Sequence, residues 1–214
     1  MMIKEIKRFL KRNKPTDRTK KYWENAAKKS VESVMESICD QFDKETFESK
    51  KESLIFSQKM QLTPDIRILD LACGMGRTCR WVAPKVKEYV GVDFIPEMIE
   101  KAKAYNSEIN NAKFLVNDGK TLNIFEDENF DIIYCELAFQ HMLKSIQESY
   151  MNDIHRVLKN NGLFYVQLPR FEFYKDPSYA RTKEEVDELF KDFKVTYADI
   201  SPAYYYIKAT KLRI

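Results

Sequence analysis

Two periodicities divide the chain. Over residues 1–60 the apolar positions Met2, Ile6, Phe9 and Leu10, and later Val31, Val34, Met35, Ile38 and Phe42, recur at three-to-four spacing, which predicts helix with no strand signal. From about residue 66 short β-branched runs take over. Those at 66–71, 89–93, 113–116, 130–135 and 163–168 read as strands, and the stretches at 77–83, 97–106 and 143–158 read as helices, with Pro96 placed to open the second. Such alternation predicts an open, mostly parallel sheet with helices on both faces. Thr182 and Glu185 form a capping-box start for a helix to about 191, and two strand-like runs follow at 193–198 and 204–210. With no helix between them these two strands pair as a hairpin, so the sheet ends with an antiparallel strand. The expected organisation is a helical extension or lid over 1–60 and an α/β domain over 61–214.

The 214 residues are 44% hydrophobic and 32% charged, enough for a full core in one generous domain, which excludes collagen-like, disordered and disulfide-framework classes. Residues 1–30 hold eleven Lys/Arg against three Asp/Glu, a surplus of eight in a chain whose net charge is +3. The rest of the chain is therefore net acidic. Cys39, Cys73, Cys79 and Cys135 form no C-x-x-C pair, so neither a zinc ribbon nor a thioredoxin motif is supported, and no metal is expected. Free thiols, the lack of a compact apolar leader and the lack of an apolar run of ~18 residues point to a cytoplasmic protein.

Only five glycines occur, and two of them stand in Ile68-Leu69-Asp70-Leu71-Ala72-Cys73-Gly74-Met75-Gly76-Arg77, where a buried strand runs into a turn that opens a helix. Open α/β sheets bind ligands at the carboxyl ends of their strands, where glycine lets backbone approach closely. Nineteen residues after Gly74 comes Asp93, at the end of the second strand, where a carboxylate can accept both hydroxyls of a ribose. A dinucleotide site calls for a third small residue three positions after the second glycine, and here that position is Cys79; the G-K-[ST] of a phosphate loop is also missing. What remains is a nucleoside cofactor without a pyrophosphate.

With these motifs the sequence resembles the class I S-adenosylmethionine-dependent methyltransferases. The resemblance rests on Leu69 to Arg77, Gly91-Val92-Asp93-Phe94-Ile95-Pro96-Glu97-Met98-Ile99, Asn117-Asp118-Gly119, Phe130-Asp131-Ile132-Ile133-Tyr134 and Arg156-Val157-Leu158-Lys159-Asn160-Asn161-Gly162. Ala72 replaces the usual first glycine of the loop, and Asn160-Asn161-Gly162 replaces a Pro-Gly-Gly type turn. The resemblance implies a Rossmann-like, doubly wound, seven-stranded sheet with the last strand antiparallel, and S-adenosylmethionine as cofactor. Carried over by position, Ala72, Cys73, Gly74 and Gly76 would lie along the methionine part and Asp70 would support its amino group. Arg77 would take its carboxylate, Asp93 the ribose, and Phe94, Ile95 and Met98 the adenine. Asp118, between Asn117 and Gly119, would accept from the adenine amino group, and Glu136 would pass under the sulfonium. The blander readings are strand-end caps for Asp70 and Asp118, loop filler for Cys73, packing for Met75 and a solvated side chain for Arg77.

The methyl acceptor is harder to read, because an in-line displacement needs mainly alignment and, for a hydroxyl, a base. The Asn/Asp-Pro-Pro-Tyr of the family's amino-group methylators of DNA bases or glutamine is absent after the fourth strand, so DNA is not an expected partner. That place reads Cys135-Glu136-Leu137-Ala138-Phe139-Gln140-His141, and His141, one of two histidines, is the candidate base, a helix cap being the alternative. His155 reads as structural. Tyr22, Trp23, Phe139, Gln140, Arg170 and Phe171 are candidate acceptor contacts, with Gln167, Phe173, Tyr174 and Tyr179 nearby. Tyr22-Trp23 followed by Phe-Gln-His is similar to the small-molecule subgroup near ubiquinone and glycan biosynthesis, and the Gly-Met-Gly-Arg loop with Trp23 is also similar to protein N-terminal methyltransferases, without their acidic peptide-binding hallmarks. A small-molecule acceptor and a monomer or homodimer are expected. Basic residues beside Ile3, Ile6, Phe9 and Leu10 make 1–15 a segment for weak contact with anionic membrane or RNA, against the simpler account of a solvated terminus. The alternatives are a protein or RNA methyltransferase using that basic segment, or an inactive cofactor-binding scaffold.

Overall fold

The computed structural model describes residues 23–25, 28, 60–136, 138–175, 178–200 (backbone alone over 197–200) and 204–212. The expected 1–60 extension, its boundary at 60, the basic 1–15 segment and Tyr22 lie outside these residues, Trp23 and a few neighbours excepted.

Strand β1 (Arg67–Leu71) lies between β2 and β4 inside a seven-stranded sheet, and four of its five residues are buried, as a strand covered on both faces requires. A glycine loop leads to the short helix α1 (Cys79–Val82), followed by a 3-10 turn over Ala83–Lys85. The expected helix at 77–83 is thus shorter at its start, because residues up to Thr78 are drawn into the loop. Strand β2 (Glu88–Asp93), helix α2 (Pro96–Tyr105) with Pro96 in its first turn, and strand β3 (Ala112–Val116) complete the first half. In β3 only Phe114 is buried, which suits a strand at the sheet's edge.

The second half winds the other way from β1. Strand β4 (Phe130–Cys135) pairs with β1, and helix α3 (Lys144–Val157) returns the chain to β5 (Leu158–Pro169), which pairs with β4 in parallel. Strand β5 starts earlier than its apolar run at 163–168. Leu158 already pairs with Phe130, and the Asn160-Asn161-Gly162 turn is taken up as an irregularity, with Asn161 at φ 62°. A one-turn helix α4 (Phe171–Tyr174), absent from the sequence pattern, and helix α5 (Lys183–Leu189) follow. The Thr182 and Glu185 capping box forms as its spacing predicts. Strands β6 (Phe193–Ile200) and β7 (Tyr204–Lys211) form the antiparallel hairpin, and β7 inserts between β5 and β6 to give the order β3-β2-β1-β4-β5-β7-β6.

Each face of the sheet has its own core. Leu69, Leu71, Val92, Ile133 and Phe164 pack with residues of α3 and α5, whereas Ile68, Tyr89, Ile132, Tyr134 and Tyr165 pack with residues of α1 and α2. The winding direction reverses between β1 and β4, so a crevice opens at their carboxyl ends. Every candidate site residue after position 60 lies in or next to the loops that leave this end.

Candidate active site

The loop after β1 is shaped by alternating left-handed residues: Ala72 (φ 61°), Gly74 (φ 56°) and Gly76 (φ 69°). For Ala72 that conformation carries a strain of order 1 kcal/mol. The chain is held there by the Cys73 N–H donating to the Val92 carbonyl at 2.9 Å and by the Gly76 N–H donating to the Cys73 carbonyl at 2.9 Å. The two glycines differ in function. A Cβ on Gly76 would come within 2.7–2.9 Å of the Phe114 ring and Asn106 Nδ2, so this residue is required by packing. A Cβ on Gly74 would meet nothing within 4 Å, so the Gly74 backbone faces open space on the crevice side.

Asp93, 7% exposed, closes the loop's other side. Its Oδ2 accepts from the Gly74 N–H at 3.0 Å and its Oδ1 from the Ile95 N–H at 2.9 Å. Both oxygens are thereby fixed in place, each with acceptor capacity left for a ligand hydroxyl. Burial pushes its carboxyl up to about 6, against the pull of these backbone donors. Behind it Ile95 and Met98 are buried and form a small apolar patch against which Phe94 and Trp23 pack, a surface suited to a flat ring. Trp23 also reaches His141, with ring centroids 5.8 Å apart.

Asp70 sits beneath the loop. Its Oδ2 accepts from the hydroxyls of Thr78 (2.8 Å), Tyr134 (2.8 Å) and Tyr89. Tyr134 is its register partner on β4, and Tyr89 comes from β2 on the other side. Burial raises the Asp70 carboxyl above its usual range, and the three hydroxyls pull it back. Thr78, Tyr89 and Tyr134 were not singled out by sequence, because tyrosines in apolar strand runs look like ordinary core, and Tyr89 stands near the start of β2 whereas Asp70 and Tyr134 stand near the ends of β1 and β4. Arg77 and Glu136 are both half-buried and close enough to interact. Burial pushes the Glu136 carboxyl up to about 7, with Arg77 opposing and Asp70 reinforcing.

On the β3 side Asn117 donates to the Tyr150 hydroxyl at 2.9 Å, and its Oδ1 accepts from the Gly119 N–H at 3.3 Å. Asp118 is exposed and caps its own turn: Oδ1 accepts from the Lys120 and Thr121 N–H groups (2.8 and 2.7 Å) and Oδ2 from the Thr121 hydroxyl (2.8 Å). Burial tends to raise this carboxyl, but the donors prevail and hold it below its usual range.

The turn after β4 is a 3-10 turn over Phe139–His141. One expectation is corrected here. Phe139 is fully buried and stands edge-on to Phe164 at 6.0 Å, so its side chain belongs to the core and is not an acceptor contact. His141 and Gln140 are half-buried, with Gln140 Nε2 3.2 Å from His141 Nε2. Burial pulls the His141 imidazole down to about 4. Arg170 lies over the Tyr205 ring at 5.2 Å and within 3.5 Å of Glu172, and Phe171 opens α4 half-buried. Tyr174 bonds the Tyr204 hydroxyl, while Gln167 and Tyr179 are buried. His155, in the last turn of α3, lies edge-on to Phe193 at the start of β6, with ring centroids 5.4 Å apart. Among the described residues no cluster of His, Cys, Asp and Glu could hold a metal ion, and no helix is long and apolar enough to cross a membrane.

The family model described as "Methyltransferase domain" matches residues 68–162, from β1 through the start of β5. The chain is 28% identical over 175 residues to the uncharacterized methyltransferase YcgJ of Bacillus subtilis (strain 168), covering 74% of this chain and 68% of that one. It is 27% identical over 182 residues to phosphoethanolamine N-methyltransferase 3 of Arabidopsis thaliana, covering 81% of this chain but only 36% of the relative. In three dimensions it resembles the Haemonchus contortus phosphoethanolamine N-methyltransferase 1, solved in complex with phosphoethanolamine and S-adenosylhomocysteine, with a TM-score of 0.73 at 13% identity over 92% of this chain and 49% of that chain.

Proposed function

Because the chain is a class I S-adenosylmethionine-dependent methyltransferase, we propose that it methylates a small-molecule acceptor seated beside Trp23 and His141, with His141 accepting the acceptor's proton. The observation that carries this reading is the position of Trp23. It packs on the Ile95 and Met98 patch and at the same time against His141, joining the cofactor side of the crevice to the turn after β4. A site framed in this way suits a compact acceptor. The phosphoethanolamine methyltransferases among its relatives carry an acceptor of that size in their names.

The residues present fit the cofactor. Asp93 presents two fixed oxygens to the ribose hydroxyls, and Phe94, Ile95 and Met98 offer an apolar wall to the adenine, with Asn117, Asp118 and Gly119 at its edge. The open side of Gly74 leaves room for the methionine part, next to Ala72, Cys73 and Gly76; Arg77 suits its carboxylate, and Glu136 offers negative charge to the sulfonium. Asp70 acts by holding the loop, because its Oδ2 is engaged by three hydroxyls. Bound S-adenosylmethionine would supply an activated methyl carbon to an acceptor lone pair, with the sulfur as leaving group.

The protein's own contribution is alignment and a place for the proton. Burial keeps His141 neutral at physiological pH, so its basic form is present without prior deprotonation. With the imidazole hydrogen on Nδ1, His141 Nε2 accepts from the Gln140 amide N–H at 3.2 Å, and an acceptor O–H or N–H would take the place of Gln140 at Nε2. Arg170 and Phe171, in the loop after β5, are the proposed further contacts of the acceptor.

The test begins with calorimetry of S-adenosylmethionine and S-adenosylhomocysteine on the full chain, where no binding would sink the reading. Labelled cofactor is then given with a protein-free metabolite extract. His141→Ala is expected to lower label transfer by about a hundredfold, the scale of a positioned base, while leaving cofactor affinity unchanged; unaltered transfer removes His141 from the mechanism.

A further inference from the structure

Gln147 stands in the first turn of α3 and is completely buried. Its side chain touches three separate segments. The amide Nε2 lies 3.2 Å from the Phe139 carbonyl, 3.0 Å from the Met142 carbonyl and 3.3 Å from the Tyr179 carbonyl. Its Oε1 accepts from Arg181 Nε at 2.7 Å. Two amide hydrogens thus serve three carbonyls, one of them shared, and the oxygen is taken by a cation, so every polar group of a buried amide is engaged. Phe139 and Met142 bracket Gln140 and His141, so Gln147 grips both ends of the turn that carries the imidazole.

Arg181 extends the grip to the loop after β5. It is 4% exposed; its Nη2 donates to the Lys144 carbonyl at 3.2 Å and to Glu148 at 3.0 Å. Its own N–H donates to the Pro169 carbonyl at 3.0 Å, and its carbonyl accepts from the Phe171 N–H at 2.9 Å. The Lys144 N–H donates to the Ser178 carbonyl at 3.0 Å, a further tie across the same seam. The loop after β4, with His141, and the loop after β5, with Arg170 and Phe171, are therefore joined through one amide and one guanidinium. Neither residue touches the glycine loop or Asp93 in any of these bonds.

We propose that Gln147 and Arg181 are positioning residues of the acceptor side: together they set His141 relative to the 170–181 loop, and methyl transfer depends on them while cofactor binding does not. The inference rests on the reading that the acceptor sits by His141. The Phe139 carbonyl also accepts from the Met142 N–H at 3.1 Å and the Phe139 ring is anchored in the core, so the Met142 carbonyl, at the far end of the turn, is the one that has either to find water or to move when Gln147 is lost. A shift of about 1 Å there is enough to misalign an acceptor for in-line attack.

The experiment compares wild type, Gln147→Leu and Arg181→Lys as full chains, with His141→Ala alongside. The Leu variant keeps bulk and removes all four bonds of Gln147; the Lys variant keeps the charge and loses the bond to Oε1, so one informative variant remains if the other does not fold. Three quantities are read: S-adenosylhomocysteine affinity by calorimetry, label transfer from S-adenosylmethionine into a protein-free extract, and the His141 imidazole resonances over a pH titration. The expected result is affinity within twofold of wild type, transfer lowered about tenfold or more, and His141 titrating above its wild-type value of about 4, toward its ordinary 6.5. His141 resonances and titration identical to wild type in both variants overturn the proposal, as does a parallel loss of cofactor affinity. If His141→Ala leaves transfer intact, the reading of the acceptor site fails, and the His141 resonances of the other two variants still decide whether the pair positions the turn.

Discussion

Asp93 and Glu136 are carboxyls that burial pushes in the same direction, yet the ligand distinguishes them. In the proposed site Asp93 takes the ribose, which S-adenosylmethionine and S-adenosylhomocysteine share, so protonation near pH 6 should weaken both ligands alike. The same proposal sets Glu136 beside the sulfonium, which only the methyl donor carries. An ionised Glu136 attracts that positive charge, and the ionised form predominates above its value of about 7. The affinity ratio of S-adenosylmethionine to S-adenosylhomocysteine is therefore expected to rise as pH increases through 7, by a few-fold for a charge pair in a partly solvated crevice. Glu136→Gln should flatten that ratio, and a ratio equally pH-dependent in the variant would place the titration elsewhere. His141, already neutral above about 4, contributes nothing to this limb. Asp93 was legible from sequence because an acid at a strand end, a fixed interval after a glycine turn, is a local pattern. The raised value of Glu136 was not, because it comes from burial in the folded chain, opposed by Arg77 and reinforced by Asp70, both some sixty residues away in the chain.

At the scale of elements, β1, β2 and β4 meet through side chains that no periodicity reveals. Asp70, Tyr89 and Tyr134 come from three adjacent strands and Thr78 from the residue before α1, so their hydrogen bonds fasten the glycine loop to the sheet at both of its ends. Tyr134→Phe removes a donor to a buried carboxylate, and a loss of ~1–3 kcal/mol of unfolding free energy is expected in urea titrations. The sign with pH follows from the charge. The hydroxyl favours the ionised Asp70, so the loss is greatest where Asp70 is ionised in the folded protein and shrinks as pH falls through its raised value. A pH-independent loss would mean that packing, not the hydrogen bond, accounts for the change. Element boundaries were legible where a residue type forces them: Pro96 opens α2 and the Thr182 and Glu185 pair opens α5. They were misread where the partner decides. The Asn160-Asn161-Gly162 turn looks like the end of a connection, yet Leu158 has already joined β4, and Phe171–Tyr174 became helical although their side chains gave no amphipathic run.

For the molecule as a whole, the reversal of winding between β1 and β4 gathers the loops after β1, β2, β4 and β5 around one crevice, and Trp23 reaches it from far earlier in the chain. Trp23→Ala is expected to raise the acceptor KM about tenfold, the effect of losing an aromatic wall that orders the acceptor, while S-adenosylhomocysteine affinity changes much less. Steady-state kinetics on the acceptor, once label transfer has identified it, with calorimetry in parallel will separate the two; equal effects would make Trp23 part of the cofactor pocket alone. The sequence by itself determined the α/β class, the hairpin at the end of the sheet, the glycine loop and the acid that ends the second strand, because each follows from short-range pattern: apolar periodicity, turn chemistry and fixed spacing within one strand–loop–helix unit. Only the tertiary structure decided that Phe139 is core, that Asp70 holds the loop through three hydroxyls, and that Gln147 and Arg181 join the loops after β4 and β5. Those assignments depend on which buried polar groups find one another across strands and loops far apart in the chain, and the free energy of burial is settled only where they meet.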